Sequence, residues 1–182
     1  MVYHSVTEIF DDAQASRRQL KQRVENLSPV QAAYKKAPDA WSVIEILEHL
    51  GLVEQQLVKL FSNSLPAVAV GNGKTAQVQF VPFSMDSYLE STRDRKLKSP
   101  QSFVPAGGLP VSELLQRLRA SRDELLALRP RCEAHDLSRI VFPHPVYGPI
   151  NLYQWLTVVG LHEKRHLRQI EAIMTSPGFP EA

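Results

Sequence analysis

The sequence predicts an all-α protein, a four-helix bundle formed as a single domain over residues 1–182. Three observations lead there. Four segments repeat apolar residues at helical spacing, two of them open with strong capping signals, and strand patterning is almost absent. With 182 residues, 43% of them hydrophobic and 22% charged, the chain is long enough to bury a proper core.

In the first segment Val6, Ile9, Phe10, Ala13, Leu20, Val24 and Leu27 form one stripe. Ser28 and Pro29 then read as an N-cap and first helical residue opening a short helical turn. The second helix has the clearest start. Ser42 and Glu45 have the spacing of a capping box, with Trp41 and Ile46 placed as its hydrophobic staple, and apolar residues continue to about Phe61. A third helix should begin after Ser112, turn Leu114, Leu115, Leu118, Leu125 and Leu126 inward, and stop before Pro130. The fourth should take Asn151 as N-cap, with Gln154 three residues on, and run to about Thr175, where Pro177 and Gly178 end it. Only AQVQFVPF, at 76–83, alternates briefly like a strand.

Long loops join helices two and three, and helices three and four. The first, about 63–111, should contain a short helix around Met85 to Lys96; so long a connection in a compact domain is usually functional. The second holds FPHPVYGP, a stiff loop leading straight into the last helix.

Composition excludes several classes. The net charge of +2 is small, and the basic residues are scattered apart from RDRKLK at 93–98, so nucleic-acid binding has no electrostatic support. Cys132 is the single cysteine, which rules out an intrachain disulfide and agrees with a reducing compartment. The N-terminus lacks a signal peptide's basic start and apolar core, and no apolar run approaches the roughly 20 residues of a membrane span. A soluble cytoplasmic protein without nucleic-acid or membrane partners is expected.

The last helix carries GLHEKRHLRQIEAI, in which His162 and His166 are four residues apart and share a face. A third histidine, His49, lies on the second helix with Ile46, Leu50 and Val53 along its face, pointing to the interior seam. A lone inward histidine is more often a hydrogen-bonded core residue. Three converging in an apolar bundle would suffer a large desolvation penalty if protonated, and one divalent cation removes that by taking a lone pair from each. His49, His162 and His166 are therefore candidate metal ligands.

HEKRH also matches the H-E-x-x-H signature of zinc proteases. Those need a further ligand downstream, and after His166 the only acids are Glu171 and Glu181. Glu171 sits about 140° around the helix from His166 and cannot easily share its ion. The protease reading fails.

WSVIEILEHLGLVE, taken with FPHPVYGPINLYQWLTVVGLHEKRHLRQI, resembles the DinB-like superfamily of four-helix bundles. Trp41, Ser42 and the HP-x-YG…W pattern before the histidine pair resemble one branch of it. The resemblance implies a divalent ion, zinc or nickel, held by His49, His162 and His166. It implies a homodimer, and a small-molecule substrate. It also implies that the chain is a metal-dependent transferase joining a low-molecular-weight thiol to an electrophile. A metal-dependent hydrolase and a non-enzymatic, stress-related metal-binding bundle remain the alternatives.

Further site candidates rest on position. Glu163 can act as a general base, although its place about 100° around the helix from His162 slightly favours a solvated side chain. Glu45, one turn before His49, can fix that imidazole's tautomer, in competition with its capping role. His144, between Pro143 and Pro145, can line the entrance, move a proton or close the coordination sphere. Tyr147, Tyr153 and Arg93 are candidate substrate contacts, and the basic run at 93–98 can hold an anionic thiol cofactor.

Overall fold

The computed structural model describes residues 1–65, 79–86 and 99–181. Among these, four long helices build the bundle: α1 (Val6–Val24), α3 (Val43–Ser64), α4 (Val111–Ala127) and α6 (Leu152–Met174). Short helices α2 (Pro29–Ala33) and α5 (Arg129–Ala134) fill two of the connections. α1 packs on α6 and α4, and α3 packs on α4 and α6, so the four close into a ring.

The caps explain where three of these helices begin. Ser42 and Glu45 form the full capping box of α3, and Asn151 and Gln154 form that of α6. α2 opens with the same reciprocal pair, Ser28 and Gln31, and with Pro29 in its first turn. α4 departs from expectation: it starts at Val111 behind Pro110, without a side-chain cap, rather than after Ser112. It ends as expected before Pro130, which sits in the first turn of the separate helix α5.

The apolar stripes pack into two clusters stacked along the bundle axis. One joins Val6, Phe10 and Ala13 of α1 to Leu57, Phe61, Leu125 and Leu156. The other joins Leu20 and Val24 to Ile46, Leu50, Leu118 and Ile170. Between α1 and α6 the helices approach closely, because Gly160 has no side chain: a Cβ there would lie 3.1 Å from the Ala13 Cα.

Two small antiparallel pairings complete the fold. β1 (Val2–Tyr3) pairs with β2 (Phe83–Ser84), the last residues of the AQVQFVPF stretch and the one after it. The stiff loop before α6 is a hairpin instead, β3 (Val141–His144) with β4 (Gly148–Asn151). Its prolines face each other in register, Pro143 opposite Pro149, which a two-stranded ribbon tolerates because each strand needs N–H groups on one side only. Gly148 at φ 71° takes a backbone conformation that suits glycine. The helix expected around Met85 to Lys96 lies, beyond Asp86, outside the described residues, as does Arg93. No helix among the described residues is long and apolar enough to cross a membrane.

Candidate metal centre

α3 and α6 bring His49, His162 and His166 together. Their ligating nitrogens all lie within 4.8 Å of one another, the one such cluster of histidine, cysteine and acidic groups among the described residues. Nε2 of His162 is 3.2 Å from Nε2 of His49 and 3.0 Å from Nε2 of His166. Two nitrogens each about 2.0–2.1 Å from one zinc ion have roughly that separation when their bonds meet at a little over a right angle.

The far sides of the rings decide which nitrogen carries the proton. Nδ1 of His49 donates to the Phe103 carbonyl at 2.7 Å, and Nδ1 of His166 donates to Oε1 of Gln169 at 2.8 Å. Both Nε2 atoms therefore present lone pairs to His162. Nε2 of His162 can donate one proton to one of them; the other lone pair is then left without a proton to accept. A shared cation removes the conflict, and carbonyl-type acceptors on the outer nitrogen are the usual surroundings of a metal-ligating histidine. The residues fit a divalent ion.

Electrostatics agree with neutral ligands. Burial lowers the pKa of His49 and pushes that of His166 down to about 3, with His49 adding to the effect. For His162 burial, then His166 and His49, depress it further. The Trp41 ring covers the cluster, 4.8 Å from the ring of His49 and 6.4 Å from that of His166.

Glu45 was a candidate partner of His49, in competition with its capping role. That carboxylate is instead taken by its capping box and by Lys35 at 2.7 Å, and the loop carbonyl of Phe103 replaces it. Glu48 accepts from the Gly107 N–H at 2.7 Å, so two consecutive residues of α3 hold the 103–107 segment over the site.

Glu163 is not solvated. Its side chain is 2% exposed and pairs with Arg17 and Arg122, which in turn pair with Glu54. One charge comes from each long helix, and the four form a layer between the two apolar clusters. Arg122 donates to Glu54 at 2.8 Å and to the Ala13 carbonyl at 2.6 Å, while Arg17 also reaches the Leu118 carbonyl. Burial opposes the Arg122 charge, but Glu163 and Glu54 more than offset it and hold its pKa above the usual range. For Glu163 burial wins over the two arginines and raises the pKa.

His144 stands outside the three-histidine cluster. Its ring stacks on Tyr147 at 4.4 Å and lies 4.7 Å from Trp155, and its Nδ1 accepts the backbone N–H groups of Val146 and Tyr147. Burial depresses its pKa to about 4. Tyr147 is half-buried on the hairpin turn. Tyr153 belongs to the core, not to a substrate surface: it is 4% exposed, packs on Phe80 and donates its hydroxyl to the His135 carbonyl.

Sequence reasoning missed Arg17, Glu54 and Arg122 altogether. A signal was present. Arg17 falls between Ala13 and Leu20, Glu54 between Leu50 and Leu57, and Arg122 between Leu118 and Leu125, each a charge interrupting an apolar stripe.

Comparisons with known proteins agree with this architecture. YuaE of Bacillus subtilis (strain 168), an uncharacterized protein, is 28% identical over 168 residues, which covers 91% of this chain and 94% of YuaE. The crystal structure of TT2238, described as a four-helix bundle protein, superposes with a TM-score of 0.61 at 20% identity, over 92% of this chain and 99% of that one. YfiT from Bacillus subtilis, described as a probable metal-dependent hydrolase with an unusual four-helix bundle topology, gives 0.63 at 18% identity, over 96% and 88%. The model of the DinB superfamily matches residues 13–170. The chain belongs to the DinB superfamily.

Proposed function

We propose that the protein binds one divalent metal ion, zinc or nickel, through His49, His162 and His166, and uses it to transfer a low-molecular-weight thiol to an electrophilic small molecule. The observation behind this is the convergence of three imidazole Nε2 atoms, two of them fixed as lone-pair donors by Phe103 and Gln169. Three neutral protein ligands leave coordination positions open, the arrangement of catalytic rather than structural sites. An ion held there supplies Lewis acidity, lowering the pKa of a thiol or water that takes an open position.

The surrounding residues favour a thiol over water. Hydrolysis calls for a base beside the attacking water, and the two buried carboxylates, Glu163 and Glu54, are tied to Arg17 and Arg122. A thiol taking an open position on such an ion would lose its proton to solvent and would need no such base. Its sulfur then forms the new bond to carbon while the leaving group departs with the electron pair of the bond that breaks. Trp41 shields one side of the cluster, and Tyr147, with His144 stacked on it, remains the proposed contact for the organic part of a substrate. Arg93 and the basic run around it remain the proposed contacts for an anionic thiol cofactor.

Hydrolysis is the second reading, supported by the description of YfiT. A direct test incubates zinc- or nickel-loaded protein with bacillithiol, mycothiol or glutathione and a panel of alkyl halides and epoxides, following thiol loss. Consumption of thiol that disappears in His49→Ala is the expected result. Cleavage of carboxylic esters or amides at the same site, without thiol consumption, would replace transfer by hydrolysis.

A further inference from the structure

His162 differs from its two partners in one respect. His49 and His166 each give their outer N–H to a carbonyl oxygen; Nδ1 of His162 has no such acceptor among the described residues. Next to it in sequence, Glu163 has the complementary lack. Its Oε1 accepts from Arg17 and lies 3.2 Å from Nη2 of Arg122 in an ion pair, while Oε2 and that Nη2 are both buried without a protein hydrogen-bond partner. A buried carboxylate oxygen left so is costly, because the water hydrogen bonds it loses on folding are not replaced.

A cavity of about 10 Å³ lies between α3 and α6, lined by His162, Glu163 and Glu54 and by apolar side chains of the same helices. That is about the space one water needs, and a buried water needs at least two polar partners. Each oxygen of Glu54 already accepts from an arginine, whereas Oε2 of Glu163 accepts from none.

We propose that Glu163 positions His162 through a single water held in this cavity, the water accepting the Nδ1–H of His162 and donating to Oε2 of Glu163. This rests on the three-histidine reading and deepens it. With Nδ1 protonated, Nε2 of His162 presents a lone pair like its two partners, and all three rings are set as ligands before the ion arrives. Arg17 and Arg122 hold the carboxylate in place, so the buried charge layer orients the third ligand from behind. Glu163 is thereby a positioning residue, not a base.

The test is zinc affinity, measured by competition with a chromophoric chelator, for wild type, Glu163→Gln and Glu54→Gln, with thermal melting of each metal-free protein alongside. Both substitutions remove one negative charge from the same layer, so a purely structural role lowers both melting temperatures and spares affinity. The inference predicts a 10- to 100-fold weaker Kd in Glu163→Gln, the usual effect of losing an outer-sphere partner, and a change under about threefold in Glu54→Gln. Equal affinity in wild type and Glu163→Gln overturns it, and so does an equal loss in the two variants. Failure of the wild type to bind zinc or nickel at all is a different outcome: it removes the metal reading and this inference with it. If Glu163→Gln does not fold, a crystal structure of the zinc-loaded wild type decides. One ordered water between Nδ1 of His162 and Oε2 of Glu163 supports the link, and direct contact or an empty cavity contradicts it.

Discussion

At the layer of Arg17, Glu54, Arg122 and Glu163 the bundle gathers four charged side chains, three of them buried; beside it, at His49, His162 and His166, it gathers imidazoles whose environment keeps them neutral. The charged layer pairs every one of its members, and leaves only Nη2 of Arg122 and Oε2 of Glu163 without a hydrogen bond. Each carboxylate meets two arginines, and two backbone carbonyls take up further guanidinium N–H groups. In the histidine cluster Phe103 and Gln169 accept from the outer nitrogens of two rings, while on the inner side two lone pairs face His162, which has at most one proton for them. A polar group satisfied by protein on every side holds a fold together. One satisfied on all sides but one is shaped for a ligand.

Breaking the charged layer should have the largest effect. Arg122→Met leaves Glu54 and Glu163 sharing one arginine in a buried layer, and should cost about 3–5 kcal/mol of stability in urea denaturation. His166→Ala in metal-free protein should cost far less at neutral pH, since it removes a crowded neutral ring; an equal loss would erase the contrast.

Gly160→Ala tests the geometry that aligns the two regions. Its methyl would press on the Ala13 backbone at 3.1 Å and push α1, with Arg17, away from α6. About 1–3 kcal/mol of destabilisation is expected, read from the shift in denaturation midpoint.

Acid should distinguish the regions next. The folded-state pKa of His166 is depressed to about 3, below the unfolded value of about 6.5. Between these values the unfolded chain binds more protons. Metal-free stability is therefore full above about pH 6.5 and falls as pH drops toward 3, by up to about 1.4 kcal/mol per pH unit for this group. In His166→Ala that part of the slope should vanish, as urea denaturation across this pH range will show.

The smallest effect concerns the helix that presents His49. Ser42→Ala removes the cap of α3 and should cost about 1 kcal/mol in the same assay, with little change in metal binding, because His49 lies two turns inside the helix.

The contrast also explains what could be read from the sequence. His49, His162 and His166 were legible because the pair is local to one turn and His49 sits on a plain apolar stripe; both depend on helical spacing alone. The caps at Ser42 and Asn151 were legible for the same reason. The charged layer was not, since each of its members looks like an isolated charge until the register of four helices joins them. Phe103 was invisible because it contributes a backbone carbonyl, which any residue type supplies. The hairpin before α6 was hidden by prolines that an isolated ribbon accommodates. Glu163 was misplaced for an instructive reason: about 100° from His162 on the helix is not solvent here but the centre of the bundle.

The central claim is that the three histidines hold one ion, and metal content tests it most directly. Purified protein without a histidine tag, saturated with zinc or nickel and then desalted, should retain close to one equivalent. His49→Ala and His166→Ala should lose it, and His144→Ala should keep it. Less than a tenth of an equivalent in the wild type, or full retention in His49→Ala, would contradict the account.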